Sequence, residues 1–224
     1  MGSASRFLIF LGGESVPYSR FGELVPHSIL LACDSGIELL WKNHLFPDVF
    51  VGDLDSADQE ALASVKPHIK NFYQFPVEKD KTDSELGVEY ALNAGAREII
   101  LVGGLGQRLD HTLANVLLLL KIRDAGVQGS IIGAKERIFC LPDEFELRGK
   151  PGLAFSLIPL GLVTNLNIIG AHYSLLEGKL YPGNSMGISN YMEGELLQIK
   201  KEGGPLILIL LEGESDHPLH FASF

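Results

Sequence analysis

The first half of the chain alternates unbroken apolar runs with segments of helical period. RFLIFLGG, from Arg6, reads as a strand ending in glycines. SILLACDSG, from Ser28, reads as a second strand ending at Asp34. Ile37, Leu40, Trp41 and His44 then recur at helical spacing, and Pro47 closes that helix. PDVFVGD is a third strand and IKNFYQFP a fourth. TDSELGVEYALNAGA opens with Thr82 and Glu85 at capping-box spacing and stops at Gly95. REIILVGG is a further buried strand, and DHTLANVLLLLKIRDAG a strongly apolar helix ended by Gly126. Strands that are apolar throughout and separated by helices predict a mostly parallel sheet covered on both faces.

After residue 128 the pattern changes. GSIIGAKERIFCLP, LAFSLIPLG, VTNLNIIGA, HYSLLEGKLYPG, EGELLQIKK and GPLILILLEG are short runs punctuated by Gly, Pro and Asn, with no helical period among them. That is the signature of a sandwich or half-barrel. The expected fold is an α/β domain over residues 1–127 with a mostly parallel sheet, followed by an all-β, sandwich-like domain over 128–224.

Composition narrows this picture modestly. With 224 residues the chain can bury a proper core. A formal charge of −10 and the lack of a basic stripe argue against nucleic acid as the main partner. A nucleotide that arrives with a metal ion remains compatible. Cys33 and Cys140 lie far apart in apolar runs and read as buried reduced thiols, which fits a cytoplasmic protein. The apolar run after Arg6 is too short for a membrane span or a signal core.

The candidate chemistry sits at the strand ends, where open parallel sheets bind ligands. The second strand ends in CDSG with Asp34, and the third in VGDLDSAD with Asp53, Asp55 and Asp58. EKDKTDSE precedes a helix and carries Lys79, Asp80, Lys81 and Asp83. The fifth strand ends in GGLGQRLDH with Arg108, Asp110 and His111. Asp53 and Asp55 share one side of an extended backbone and repel each other unless a cation or solvent lies between them. Hard oxygen donors from several loops, flanked by Lys and Arg, suit Mg²⁺ holding a polyphosphate. Each piece also has a plainer reading. Asp34 and Asp110 fit helix N-caps, and Asp83 fits an acid in a first helical turn. GGLGQR matches neither a P-loop nor the dinucleotide fingerprint. No Cys/His spacing supports zinc.

GDLDS, KDKTDSE, GQRLDHTLAN, LYPGNSMGISN and DHPL, in that order, resemble the motif series of the thiamine pyrophosphokinases from about Phe7 to Phe221. The resemblance implies an α/β domain followed by a β-sandwich, a homodimer with its active site near the interface, and transfer of a pyrophosphoryl group from ATP to thiamine. It implies Mg²⁺ on Asp53, Asp55 and Asp83, with Arg108 completing the catalytic set. Asp34, Lys81, Gly104, Arg108, Asp110 and His111 would frame ATP, and Ser189, Asn190 and Phe221 would meet thiamine. Leu54, Tyr191 and Phe221 depart from commoner family residues, the last two in the expected thiamine pocket.

Two rival readings remain at this stage. DLDSA after an apolar strand approaches the Asp-x-Asp-x-Thr motif of Mg²⁺-dependent phosphohydrolases, with Ala57 at the Thr position. A thiamine- or nucleotide-binding sensor without catalysis would share the fold.

Overall fold

The computed structural model describes residues 5–53, 58–76, 78, 80–106 and 108–212. The chain divides into two compact units, Met1–Ala134 and Lys135–Phe224.

In the first unit, β1 (Arg6–Phe10), β2 (Ser28–Cys33), β3 (Val49–Gly52), β4 (Asn71–Gln74), β5 (Glu98–Val102) and β6 (Gln128–Ile132) pair in parallel, in the order β6-β5-β1-β2-β3-β4. The central strands are apolar along their length because both faces are covered: Phe7–Phe10 of β1 and Ile99–Val102 of β5 are buried. Phe10 packs edge-on against Phe21, with ring centroids 5.4 Å apart, and Phe50 stacks on Phe72 at 4.7 Å. These rings join Leu8, Ile37 and Leu40 in one core. From β1 the chain steps outward through β2 and β3 to β4, then crosses back to place β5 on the other side of β1. The direction therefore reverses between β1 and β5, which is where such sheets open a crevice.

The helices begin where their caps lie. α1 (Ile37–Lys42) is short and gives way at His44, whose φ is 54°. α3 (Asp83–Asn93) starts at Thr82, whose hydroxyl accepts from the Glu85 amide at 3.2 Å, and ends at Gly95 with φ 80°. α4 (Leu109–Asp124) follows Arg108. The pattern of apolar positions did not reveal α2 (Gln59–Val65), a short helix capped by Asp58, whose carboxylate accepts from the Ala61 amide at 2.8 Å. One acid of the VGDLDSAD cluster is thus a helix cap.

Sequence pattern changes at residue 128, yet Gln128–Ile132 pairs in parallel with β5, so the first unit runs through Ala134. A short apolar run carries no label for the sheet it joins, since its partner strand is chosen by tertiary packing.

The second unit is all β. β7 (Glu136–Cys140), β9 (Ala154–Pro159), β12 (Asn190–Tyr191) and β14 (Leu206–Leu211) pair in the order β12-β9-β14-β7. β8 (Glu144–Arg148), β10 (Val163–Ile169), β11 (Leu175–Leu180) and β13 (Leu196–Gly203) form a second sheet, β11-β10-β13-β8. Burial alternates along β8 and β9, as expected of strands with one face in a core. Phe155, Leu157 and Leu208 of one sheet meet Leu147, Leu166 and Leu197 of the other. Among the described residues no helix is long and apolar enough to cross a membrane.

Candidate active site

A cleft of about 680 Å³ opens in the first unit at the carboxyl ends of its strands. Each loop there contributes. Gly12 and Gly13 follow β1, Asp34 and Ser35 follow β2, and Asp53 follows β3. Lys81, Thr82, Asp83 and Ser84 come from the start of α3. Gly104, Leu105, Gly106 and Arg108 follow β5, and His111, Thr112 and Asn115 come from α4. Asp34, Asp53, Lys81, Asp83, Gly104, Arg108 and His111, singled out from sequence in separate motifs, therefore line one cavity. Asp110 lies beside it, paired with Arg108. Asp55 and Phe221 fall outside the described residues.

The floor of the cleft is backbone. The loop after β1 is zipped to the loop after β5: Gly13 N–H donates to Gly103 O at 3.0 Å, and Glu14 N–H to Leu105 O at 2.6 Å. A Cβ at Gly13 would stand 2.1 Å from Leu105 O and 2.4 Å from Gly103 O, so only glycine fits. Asn115, buried on α4, donates from Nδ2 to Gly104 O at 2.7 Å and ties this glycine loop to the helix behind it. Sequence reasoning did not single out Gly12, Gly13 or Asn115. The glycines after β1 read only as the end of a strand, and Asn115 stood unremarked inside GQRLDHTLAN.

The acids are gathered tightly. Asp34 adopts a left-handed conformation, with φ 46°, uncommon outside glycine and tolerated best by Asn and Asp. It starts the tight 3₁₀ turn Asp34–Gly36, whose cap position is Cys33, and the cap position of α1 is Gly36, so Asp34 is not the N-cap residue of either. The end of β3 lies against it, since a Cβ at Gly52 would come within 3.0 Å of the Asp34 backbone. Cys33 beneath donates from Sγ to Asp83 O at 3.3 Å. Burial pushes the Cys33 thiol well up, and the negative charges of Asp83 and Asp34 push it further. The same two carboxylates thus act on one thiol from β2 and α3.

Cationic groups border these acids. Arg108 Nη2 lies 2.6 Å from Asp110 Oδ2, both side chains largely exposed, and the guanidinium holds the Asp110 carboxyl down at about 2. Asp110 sits in the first turn of α4 and is no cap. Lys81 Nζ contacts both Glu89 carboxylate oxygens at 2.8 Å. His111 is exposed at the helix start.

In the second unit the GISN motif forms the turn into β12. Ser189 is exposed, has φ 60°, and its amide donates to Ser156 Oγ at 3.1 Å. Asn190 is buried, and its side-chain amide is engaged with the Tyr173 backbone at 3.0 and 2.9 Å. Beside it Tyr191 stacks on His172, with centroids 4.6 Å apart and planes 13° apart, and His172 Nδ1 is 3.1 Å from Glu193 Oε1.

Residues 22–129 match the family model of the thiamin pyrophosphokinase catalytic domain, the segment that carries every loop of the cleft except the glycines after β1. The chain is similar to the thiamine pyrophosphokinases. Thiamine pyrophosphokinase of Bacillus subtilis (strain 168) is 26% identical over 167 residues, covering 73% of this chain and 78% of that relative. The crystal structure of the Bacillus subtilis enzyme superposes with a TM-score of 0.83 at 25% identity, covering 93% of this chain and 99% of that one. The Geobacillus thermodenitrificans structure gives 0.80 at 27% identity, covering 95% and 99%.

Similarity to a kinase family points to a divalent metal, and the donor set suits one. Among the described residues no three His, Cys, Asp or Glu side chains stand close enough to hold an ion by themselves. Asp34, Asp53 and Asp83 nonetheless face one cleft. Mg²⁺ binds through one or two carboxylates together with substrate phosphates and water, rather than in an all-protein cage. Hard oxygen donors spread around a cavity fit that mode better than they fit zinc.

Proposed function

We propose that this chain transfers the β,γ-pyrophosphoryl group of ATP to the primary hydroxyl of thiamine, releasing AMP and thiamine diphosphate. The observation that carries this reading is the convergence of Asp34, Asp53, Asp83, Lys81 and Arg108 on one cleft at the sheet's reversal point, within a segment that matches the catalytic-domain model of this family. The hydroxyl oxygen bonds to the β-phosphorus as the bond from that phosphorus to the α,β-bridging oxygen breaks. The hydroxyl proton passes to solvent or to a nearby carboxylate.

In this reading the first unit binds ATP and the second binds thiamine. Asp53 and Asp83, with Asp55, hold Mg²⁺, which when bound neutralises phosphate charge. Asp34 and Gly104 border the nucleotide, the latter through a backbone that approaches closely because no side chain intervenes. Arg108, released from Asp110, stabilises charge growing on the bridging oxygen. Lys81 and His111 face the phosphates from either side. Ser189 offers hydrogen bonds to thiamine, Asn190 positions the aromatic residues beside it, and Phe221 stacks on the thiamine rings.

Assembly as a homodimer belongs to the same proposal. Leu109, Leu113 and Leu117 project from α4 with exposures of 69%, 54% and 50%, next to the helix face that lines the cleft. The second unit exposes Tyr173 and Leu176. Apolar patches of this kind are commonly covered by a partner. Two free buried cysteines support a cytoplasmic location.

The test is product analysis of ATP with Mg²⁺, with and without thiamine, and with EDTA as control. AMP and thiamine diphosphate should appear in equal amounts and only with both thiamine and metal. Phosphate release without thiamine would favour the phosphohydrolase, and binding without turnover the sensor. The family match favours neither rival.

A further inference from the structure

The lysine that faces the cleft is not free within it. Lys81 Nζ lies 2.8 Å from both Glu89 oxygens, and Glu89 Oε1 is shared with Lys121 of α4 at 2.5 Å. Lys121 also reaches Glu85 Oε1 at 2.9 Å. The result is a row of alternating sign, Lys81–Glu89–Lys121–Glu85, tying the loop before α3, α3 itself and α4. Glu85 and Glu89 are one helical turn apart and would repel each other without Lys121 between them. The two lysines hold the Glu89 carboxyl below its ordinary range, Lys121 contributing most.

The sharing is asymmetric. Lys121 has two acids, and Lys81 has Glu89 as its carboxylate partner and lines the cleft. If Lys81 leaves, Glu89 keeps Lys121, so no carboxylate is stranded. A pair this exposed, with side chains 45% and 26% accessible, is cheap to exchange. A polyphosphate offers more negative charge than one carboxylate does.

We propose that Glu89 is a positioning residue that holds Lys81 in reserve, and that Lys81 exchanges from Glu89 onto the phosphates of an incoming nucleoside polyphosphate. The proposal rests on reading the cleft as a polyphosphate site. Glu89 then competes with the nucleotide for one ammonium group and sets how tightly the nucleotide is held. Lys121 acts oppositely: by satisfying Glu89 it makes the release of Lys81 easier.

The experiment is calorimetric titration of the full chain with ATP and Mg²⁺ in the absence of thiamine. It compares wild type, Glu89→Gln, Lys121→Met, Lys81→Met and the double variant Lys81→Met/Glu89→Gln, with melting temperatures for each. Glu89→Gln is expected to tighten ATP binding about threefold, and Lys121→Met to weaken it by a similar factor. In the Lys81→Met background Glu89→Gln should change nothing. Equal tightening in both backgrounds would mean that Glu89 acts only as a distant negative charge, and overturns the proposal. So does unchanged or weaker binding in Glu89→Gln. If Glu89→Gln fails to fold, Lys121→Met decides alone, and unchanged or tighter binding there overturns it. Wild-type ATP turnover with thiamine, measured alongside, separates the two failures. A turning-over enzyme with a null cycle loses only this inference, whereas a wild type that neither binds ATP nor turns over loses both.

Discussion

Asn190 and Tyr173 are joined through both halves of one amide. Asn190 Oδ1 accepts the Tyr173 N–H at 3.0 Å, and Nδ2 donates to the Tyr173 carbonyl at 2.9 Å. The same Oδ1 accepts the Tyr191 N–H at 2.9 Å. A buried side chain thereby does for two distant backbone segments what a strand ladder does elsewhere. Replacing Asn190 by Ala leaves the Tyr173 groups unsatisfied, and about 1–3 kcal/mol of stability should be lost. Asn190→Asp sets a carboxylate oxygen against the Tyr173 carbonyl and buries a charge, so a drop at least as large is expected. Thermal melts with thiamine KM check this. A loss of stability with little change in the ATP constant is the expected pattern.

Asp53→Asn is expected to lower turnover about 100-fold or more, because it removes a metal-facing carboxylate from a cleft already crowded with acids. Relief of like-charge repulsion should leave the metal-free protein at least as stable. Steady-state rates over a range of Mg²⁺ test the point, and near-normal activity at modest Mg²⁺ would remove Asp53 from the metal set.

Gly13→Ala forces the β1 and β5 loops apart, since the new Cβ would meet two carbonyl oxygens closer than 2.5 Å. The effect should appear as weaker ATP binding together with a destabilisation of about 1–3 kcal/mol. Calorimetry and thermal unfolding read the two separately.

If the active site is shared between subunits, an Asp53 variant and a Ser189 variant, each inactive alone, should regain part of the activity when mixed and allowed to exchange. Sedimentation gives the assembly state. A fully active monomer would end the homodimer proposal.

Cys33 should stay protonated through neutral pH, because burial and then the charges of Asp83 and Asp34 raise its pKa above the ordinary 9.0. An acid whose folded pKa is raised favours the fold while its unfolded counterpart is also protonated. That contribution is present below the unfolded pKa and is lost as pH climbs from there toward the folded value. The wild type should therefore lose stability above about pH 9 faster than Cys33→Ala, as pH-dependent melts would show.

The sequence by itself determined the elements and their chemistry. Apolar runs marked β1, β2, β3 and β5, the Thr82 cap and Gly95 bounded α3, and the acids stood at strand ends. Those signals are local, written in period, capping and turn residues. Two local signals were still too weak to read alone: the short α2 with its Asp58 cap, and the sheet to which Gln128–Ile132 belongs. Only the tertiary structure decided which loops share a cavity. The return of β5 to the side of β1 brings Gly13 against Leu105 and sets Asp34, Asp53, Asp83 and Arg108 around one space. It likewise joined Asn190 to Tyr173 and Lys81 to Lys121 through Glu89. Strand order and helix packing are fixed by burial and hydrogen bonds between residues far apart in the chain, and no window of sequence contains both partners.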